Sequence, residues 1–460
     1  MAKEQKSAAA DEAAVASEAV VAAPSTGLPG LSTLAAYGGF PFVESFIDGI
    51  QNISPERKAR KNIFMTDENK KVERQMLKQK LNLWIDLLES SSNQTEMLEK
   101  TEEKANLSNA QLRKNLLRAL NSTRELERSY RALSLFYKNT DMDRVPNVTV
   151  LNASLAQLTD LDNPIFIDRV NEEFKQNYDR LDLRTNYSLL VVPGFMRTNG
   201  ILEKWARIAH NSKVMLVTDF ADLESPEDTI ELFSTANMSS GDLHCSNVIM
   251  ACNWMVGRGK VAEVGETDNL YVPPSAALAG KIYYTLMSQV TAGKKHGGMN
   301  EVDGVRYPLK KSEISHLERL GLVPMVFEYG KVMAFSAKTL FNGDNPGLQT
   351  YSVVRVFDHV VKVLFDFLNR RAFENWTPRM EADLRRQIVQ FLDSIMGPDR
   401  LIEKHSIMRF ERDKNIKDLI HLDLFIKPYF PAKSFVIRLD GRRGDDVDSP
   451  EWVSDYGVMA

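Results

Sequence analysis

Cys245 and Cys252, with His244 beside the first, are the side chains whose types could support metal binding or nucleophilic catalysis. Their C-x6-C spacing matches no common zinc pattern, and no second histidine lies close in sequence. Cys252 sits in the apolar run Asn247 to Cys252, where a thiol reads as a small buried hydrophobe. Two glycine-rich stretches, Val256-Gly257-Arg258-Gly259-Lys260 and Gly293-Lys294-Lys295-His296-Gly297-Gly298, offer backbone amides and cations for a phosphate. Neither has the G-x-x-x-x-G-K-[ST] spacing or a clear strand before and helix after, so both read as surface loops. The seven histidines carry no H-E-x-x-H pairing, and His359, within an apolar helical pattern, reads as core or helix-flank packing. No G-x-S-x-G elbow and no dinucleotide fingerprint occurs. The chemistry-bearing residues therefore converge on no catalytic, cofactor or metal site.

The elements that would have to position a site are more informative. Apolar residues make up 43% of the 460 and charged residues 26%, enough for two or three domains around a substantial core. A net charge of −4 gives no basic field to recommend nucleic acid or an anionic membrane surface. No run is long and apolar enough for a membrane span, and Glu4, Asp11, Glu12 and Glu18 interrupt any signal-peptide core. Two cysteines suit a reducing compartment, so a cytoplasmic protein is expected.

Residues 1–26 are rich in Ala, Glu and Ser without aromatics, and are expected to be disordered when unbound. The stretch from Gly27 to Phe42 is apolar but interrupted by Gly and Pro. With Leu28, Leu31, Leu34, Tyr37 and Phe40, it reads as an extended arm seeking burial on another chain. From about Ser54 the periodicity turns helical through Leu77, Leu81, Trp84 and Leu88. It breaks over Ser90–Glu96 and resumes from about Leu107 to Phe136. Pro146 ends this part, and Asn147–Asn152 reads as a short strand.

The middle alternates β-branched runs at 188–192, 214–218 and 247–252 with helical segments such as Leu202–His210. That rhythm predicts an α/β domain with a partly buried sheet. Two helices follow, one through Val353, Phe357, Val360, Leu364 and Leu368, the other from Met380 to Leu392 and stopped by Gly397-Pro398. Finally, Leu422, Leu424 and Ile426 alternate along one strand, and Phe435, Ile437 and Leu439 along another. Pro428–Lys433 would join them as a hairpin-like pair. Two strands are marginal in water, so the pair is expected to need more strands. The run Arg442–Asp448 reads as a solvated charged tail.

In order and spacing, passages at four places along the chain, the first of them double, resemble the large subunit of the type VI secretion contractile sheath, the TssC/VipB-like proteins. Leu126-Glu127-Arg128-Ser129-Tyr130-Arg131-Ala132-Leu133 is similar to that family's "E-x-x-W-R-G-L" helix, with Tyr130 and Ala132 where Trp and Gly are usual. Val148–Ser154 resembles the strand and turn that follow it. Glu313–Phe335 is similar to "E-x-x-L-x-x-L-G-F-I-P-L…A-V-F". Tyr351–Phe373 resembles the long helix with His359 and Lys362 at matching positions, and Leu422–Leu439 the closing strands. The usual "GDYEF" is replaced by Val192-Pro193-Gly194-Phe195, which suggests a divergent, Bacteroidetes-type branch.

The resemblance implies an α/β (α+β) contractile-sheath fold without catalysis or cofactors. It also implies a division into an N-terminal arm (1–53), a helical region pairing with a small sheath subunit (54–145), a central α/β domain (146–345) and a C-terminal domain (346–460) carrying handshake strands. Implied partners are a TssB/VipA-like small subunit, copies of this chain, an Hcp-like inner tube, a baseplate and a ClpV-like AAA+ unfoldase. For the unfoldase, the segment around Phe42, Phe46, Ile47 and Ile50 is the closest candidate helix. The alternatives are the sheath of a related phage-tail-like injection particle, and a cytoplasmic α/β enzyme with a divergent site in 190–300.

Overall fold

A computed structural model describes residues 55–141, 145, 148–182, 186–433, 435–441 and 452–458. Two compact units meet at Leu116/Leu117. The first holds α1 (Pro55–Thr66), α2 (Lys71–Glu89) and the start of α3 (Gln94–Asn139). The break between α2 and α3 falls where the Ser/Asn-rich stretch predicts it. The second helix begins thirteen residues earlier than Leu107, because Asn93 Oδ1 accepts from the Glu96 N–H and caps it at once.

The second unit opens with the rest of α3, then α4 (Leu155–Thr159) and α5 (Ile165–Tyr178). Alternating elements follow: β1 (Leu189–Phe195), α6 (Asn199–Asn211), β2 (Met215–Asp219), α7 (Pro226–Ala236) and β3 (Val248–Cys252). A small antiparallel sheet comes from β4 (Met255–Arg258), β5 (Leu270–Val272) and, after α8 (Ser275–Tyr284) and α9 (Gly293–His296), β6 (Gly304–Val305). Next are α10 (Lys311–Arg319), β7 (Leu322–Glu328), β8 (Lys331–Ala334), α11 (Tyr351–Arg370) and α12 (Pro378–Ser394). The chain closes with β9 (Ile402–Arg412), β10 (Ile420–Pro428), β11 (Phe435–Gly441) and β12 (Trp452–Val458).

The predicted α/β rhythm is present. The main sheet runs β1-β2-β3-β7-β8, parallel up to β7, with β8 antiparallel on its edge. Period-2 alternation divides its residues between two cores. Leu216, Val248, Met250 and Cys252 face one layer with Trp205 and Phe220. Met215, Val217, Ile249 and Ala251 face the other with Leu278, Ile282 and Tyr351. Both faces are covered, so β2 and β3 are buried throughout and read as continuous apolar runs. Pro193 fits in β1 because that strand is an edge, and Gly194 takes φ +103° at an irregularity in its register. The Gly194 N–H then donates to buried Asp219 (2.8 Å).

Four sequence expectations are corrected. β10 does not pair with β11: it pairs antiparallel with β9, and β11 pairs with β12. The partners were illegible because β9 (IEKHSIMRFER) is rich in charge and β12 lies beyond the Arg442–Asp448 run, in what read as tail. Residues 148–152 form no strand, since no described segment pairs with them, and Val150 and Leu151 are exposed. Val256–Arg258 is strand rather than loop. Gly293–His296 is a short helix, after which Gly297 packs on β8, where an added Cβ would lie 2.7 Å from the Ala334 carbonyl oxygen.

Candidate assembly interface

Among the described residues no group of three His, Cys, Asp or Glu side chains could hold a metal. Cys252 is fully buried, and its thiol is pushed far above the ordinary value by burial. Burial also raises the Cys245 thiol, to about 11. Neither is a thiolate near neutral pH, so neither is poised as a nucleophile.

The passage Leu126–Leu133 lies in α3 and has two opposite faces. On one, Arg124, Arg128 and Arg131 grip the small sheet. Arg124 donates to the Asn269 carbonyl (2.6 Å), Arg128 to that of Tyr271 (3.1 Å) and Arg131 to that of Gly257 (2.9 Å). Glu266 accepts from Arg124 (2.8 Å) and Arg258 (2.7 Å), while Glu127 accepts from Arg131 (2.8 Å) and Arg258 (3.0 Å). The hydrogen bond from Arg258 leads the causes that hold the Glu266 carboxyl down at about 2, against the opposing effect of burial. Gly257 belongs to this clamp, since a Cβ there would lie 2.7 Å from Val272.

On the other face, Leu126, Tyr130, Leu133 and Tyr137 recur at i, i+4, i+7 and i+11 and are exposed, Leu126 by 72% and Tyr130 by 70%. In the first unit, α2 exposes Val72, Met76, Leu77, Leu81, Leu83 and Trp84. Apolar helix surface on this scale marks an interaction face.

Near the C-terminus, Leu422, Leu424 and Ile426 pack inward against a core built from Val360 and Leu364 of α11 and Leu384, Ile388 and Leu392 of α12. That positions β9–β10 as a two-stranded layer whose outer edges are unpaired among the described residues, save one bridge from Ile402 to Met396. Met408 and Phe425 of this layer are exposed. Phe435, Ile437 and Leu439 lie on β11, in register with Val458, Tyr456 and Ser454 of β12. The arm residues Leu28, Leu31, Leu34, Tyr37 and Phe40 lie outside the described residues. So do Phe42, Phe46, Ile47 and Ile50.

Three sequence models of one family match in succession. The TssC/VipB-like N-terminal region matches residues 29–116, the type VI secretion system TssC/VipB central domain residues 118–342, and the TssC/VipB-like C-terminal domain residues 350–458. The chain belongs to the TssC/VipB family of type VI secretion sheath large subunits. It is thus a contractile-sheath protein, and its α/β architecture is that of a family whose members are structural. No curated protein matches the sequence.

Similar solved structures include the contracted helical sheath of the anti-feeding prophage, with 16% identity, TM-score 0.45, and coverage of 68% of this chain and 81% of that one. The anti-feeding prophage baseplate gives 14% identity, TM-score 0.44, and 69% and 80% coverage. A sheath tail protein from Desulfitobacterium hafniense gives 10% identity, TM-score 0.39, and 65% and 60% coverage. At these scores the assignment rests on the three sequence models. Among the described residues no helix of this TssC/VipB-family chain is long and apolar enough to cross a membrane.

Proposed function

We propose that this chain pairs with a small, TssB/VipA-like sheath subunit and polymerises as helically stacked hexameric rings around an Hcp-like inner tube. Contraction of those rings would propel the tube, in the cytoplasm and without catalysis by this subunit. The observation that carries the reading is the state of the C-terminal strands. Among the described residues, β9–β10 and β11–β12 are separate two-stranded sheets whose outer edges pair with no further strand, apart from the Met396–Ile402 bridge. A two-stranded sheet is marginal in water, and an unpaired edge is a template for another chain's strand.

A neighbour's arm (Leu28, Leu31, Leu34, Tyr37, Phe40) and a strand of the small subunit would complete them by β-augmentation. Backbone hydrogen bonds would then give continuity, and the alternating residues of β10 and β11 would give register. The exposed apolar faces of α2 and α3 suit the helices of the small subunit. Contraction would exchange one interface packing for a more stable one, with no nucleotide involved. A baseplate would start assembly, and a ClpV-like unfoldase acting near Phe42, Phe46, Ile47 and Ile50 would recycle the contracted sheath.

The test is co-expression with a TssB/VipA-like small sheath subunit, followed by negative-stain electron microscopy. Tubes with a regular helical repeat are expected. A soluble heterodimer that forms no higher assembly at any salt concentration would sink the proposal. A phage-tail-like sheath would instead form tubes from this chain alone.

A further inference from the structure

Arg355, on α11, is only 8% exposed, and its Nη1 has no hydrogen-bond partner. Its Nη2 donates to the Ile282 carbonyl oxygen (3.2 Å), a neutral acceptor that leaves the guanidinium charge unmatched. A buried cation without a carboxylate is costly, and folds hold one there only with compensation from elsewhere. Arg355 lines a cleft of about 470 Å³ between α11, the β1 and β2 ends of the main sheet, and Met287.

Two further cations line the same cleft, Lys213 just before β2 and Lys362 two turns along α11 from Arg355, with His359 one turn along. Lys362 donates to the Tyr187 carbonyl oxygen (2.7 Å), again a neutral partner. Burial first, then repulsion from Lys213, brings its ammonium down to about 8 against the attraction of Asp358. Burial, Lys362 and Arg355 together lower His359.

The two carboxylates of the cleft are engaged elsewhere. Asp358 accepts from the Asn247 side-chain amide (2.8 Å), and Asp366 is bound by Arg370. What remains is a half-buried concavity in which Lys213, Arg355 and Lys362 make no direct ion pair among the described residues, with Asp358 as the one carboxylate whose charge reaches the two lysines. A guanidinium with one free N–H edge beside two ammonium groups is the donor set that carboxylate and phosphate oxygens fit.

We propose that this cleft is an oxyanion-binding site, with Arg355 as the buried anchor and Lys213 and Lys362 as flanking cations. The anion would be either a free phosphate or the carboxylate of an acidic side chain presented by another protein chain. The proposal stands whether or not the chain forms tubes, so its failure and failure of the sheath reading are separable.

The test is calorimetric titration of the purified full-length chain with inorganic phosphate and, separately, with an acetylated tetraglutamate peptide. Sodium chloride at matched ionic strength serves as the blank. Saturable one-site binding is expected for at least one probe, weakened about tenfold by Lys213→Gln and by Lys362→Gln and abolished by Arg355→Met. Lys331→Gln, outside the cleft, should bind as the parent does. Phosphate alone binding would identify a free anion, and tighter binding of the peptide a protein carboxylate. Lys213→Gln keeps the test valid even if Arg355→Met fails to fold. Absence of saturable heat from both probes, or binding unaffected by Lys213→Gln and Lys362→Gln, overturns the proposal.

Discussion

Glu266 lies between Arg124 and Arg258 and also accepts from the Val261 N–H (2.9 Å). Its side chain is buried, so this is a desolvated ion network and not a surface pair worth a few tenths of a kcal/mol. Glu266→Gln would leave two guanidinium groups facing a neutral amide, at a cost of roughly 3 kcal/mol. Because the folded-state pKa is depressed from 4.5 to about 2, the stabilisation is fully present above pH 4.5 and is lost as pH falls toward 2. Chemical denaturation of the parent across that window should show the loss, and Glu266→Gln should show a shallower acid dependence. Asp219 behaves in the opposite sense. Burial raises its carboxyl to about 7 against donors from Gly194 and Ser275. Asp219→Ala would strand those donors, the Ser275 hydroxyl and N–H and the Gly194 N–H, beneath the sheet. A lowered denaturation midpoint, by about 2–4 kcal/mol of stability, is the expected reading.

At the level of elements, α8 meets α3 through a glycine. An added Cβ on Gly280 would lie 2.4 Å from the Phe136 carbonyl oxygen and 3.1 Å from Asn139 Cβ. Alanine would gain about 1 kcal/mol of helix propensity, yet a backbone carbonyl cannot rotate away as a side chain can. Gly280→Ala is therefore expected to destabilise by a net of about 2 kcal/mol, read as a lower thermal midpoint. A midpoint unchanged or raised would show that α3 and α8 separate freely. The strand layer behaves differently on its two sides. Leu424 packs on α11 and α12, whereas Phe425 is half exposed. Leu424→Asp should unfold the C-terminal layer. Phe425→Asp should leave the circular dichroism melt within about 0.5 kcal/mol of the parent but reduce tube formation by electron microscopy. Equal damage from both substitutions would contradict this division.

For the whole molecule, the proposal that a neighbour's arm completes the C-terminal sheets makes a plain demand. Deleting residues 1–41 should leave the second unit's melting transition intact, since among the described residues its cores draw on positions from Leu135 onward. The truncated chain should still bind the small subunit but form no tubes. Normal tubes from the truncated chain would remove the arm from the mechanism. Much of the supporting frame was legible beforehand, because strong periodicity needs no partner to be read. The runs at 188–192, 214–218 and 247–252, the helix with Trp205, and α11 and α12 all follow from apolar spacing. The Arg355 cleft was not legible. Arg355, Lys213 and Lys362 are far apart in sequence or hidden in an amphipathic pattern; His359 read as helix packing, and Lys362 drew notice only through a resemblance.

The sequence by itself determined the kind of molecule: a central α/β domain with a buried sheet, and a family membership carried by the order and spacing of passages between about residues 120 and 440. Those are properties of local pattern, set by which residues can be buried at periods of 2 and 3.6. Strand partnership was decided only in three dimensions. β10 chose the charged β9 and left β11 to β12, because pairing is a contest among backbones whose outcome side-chain alternation does not encode. The same holds for the clamp of α3 on the small sheet. Arg128 and Arg131 stood in the sequence only as part of a family-like passage, and it is the fold that sets Glu266 and three carbonyl oxygens against the arginines of α3.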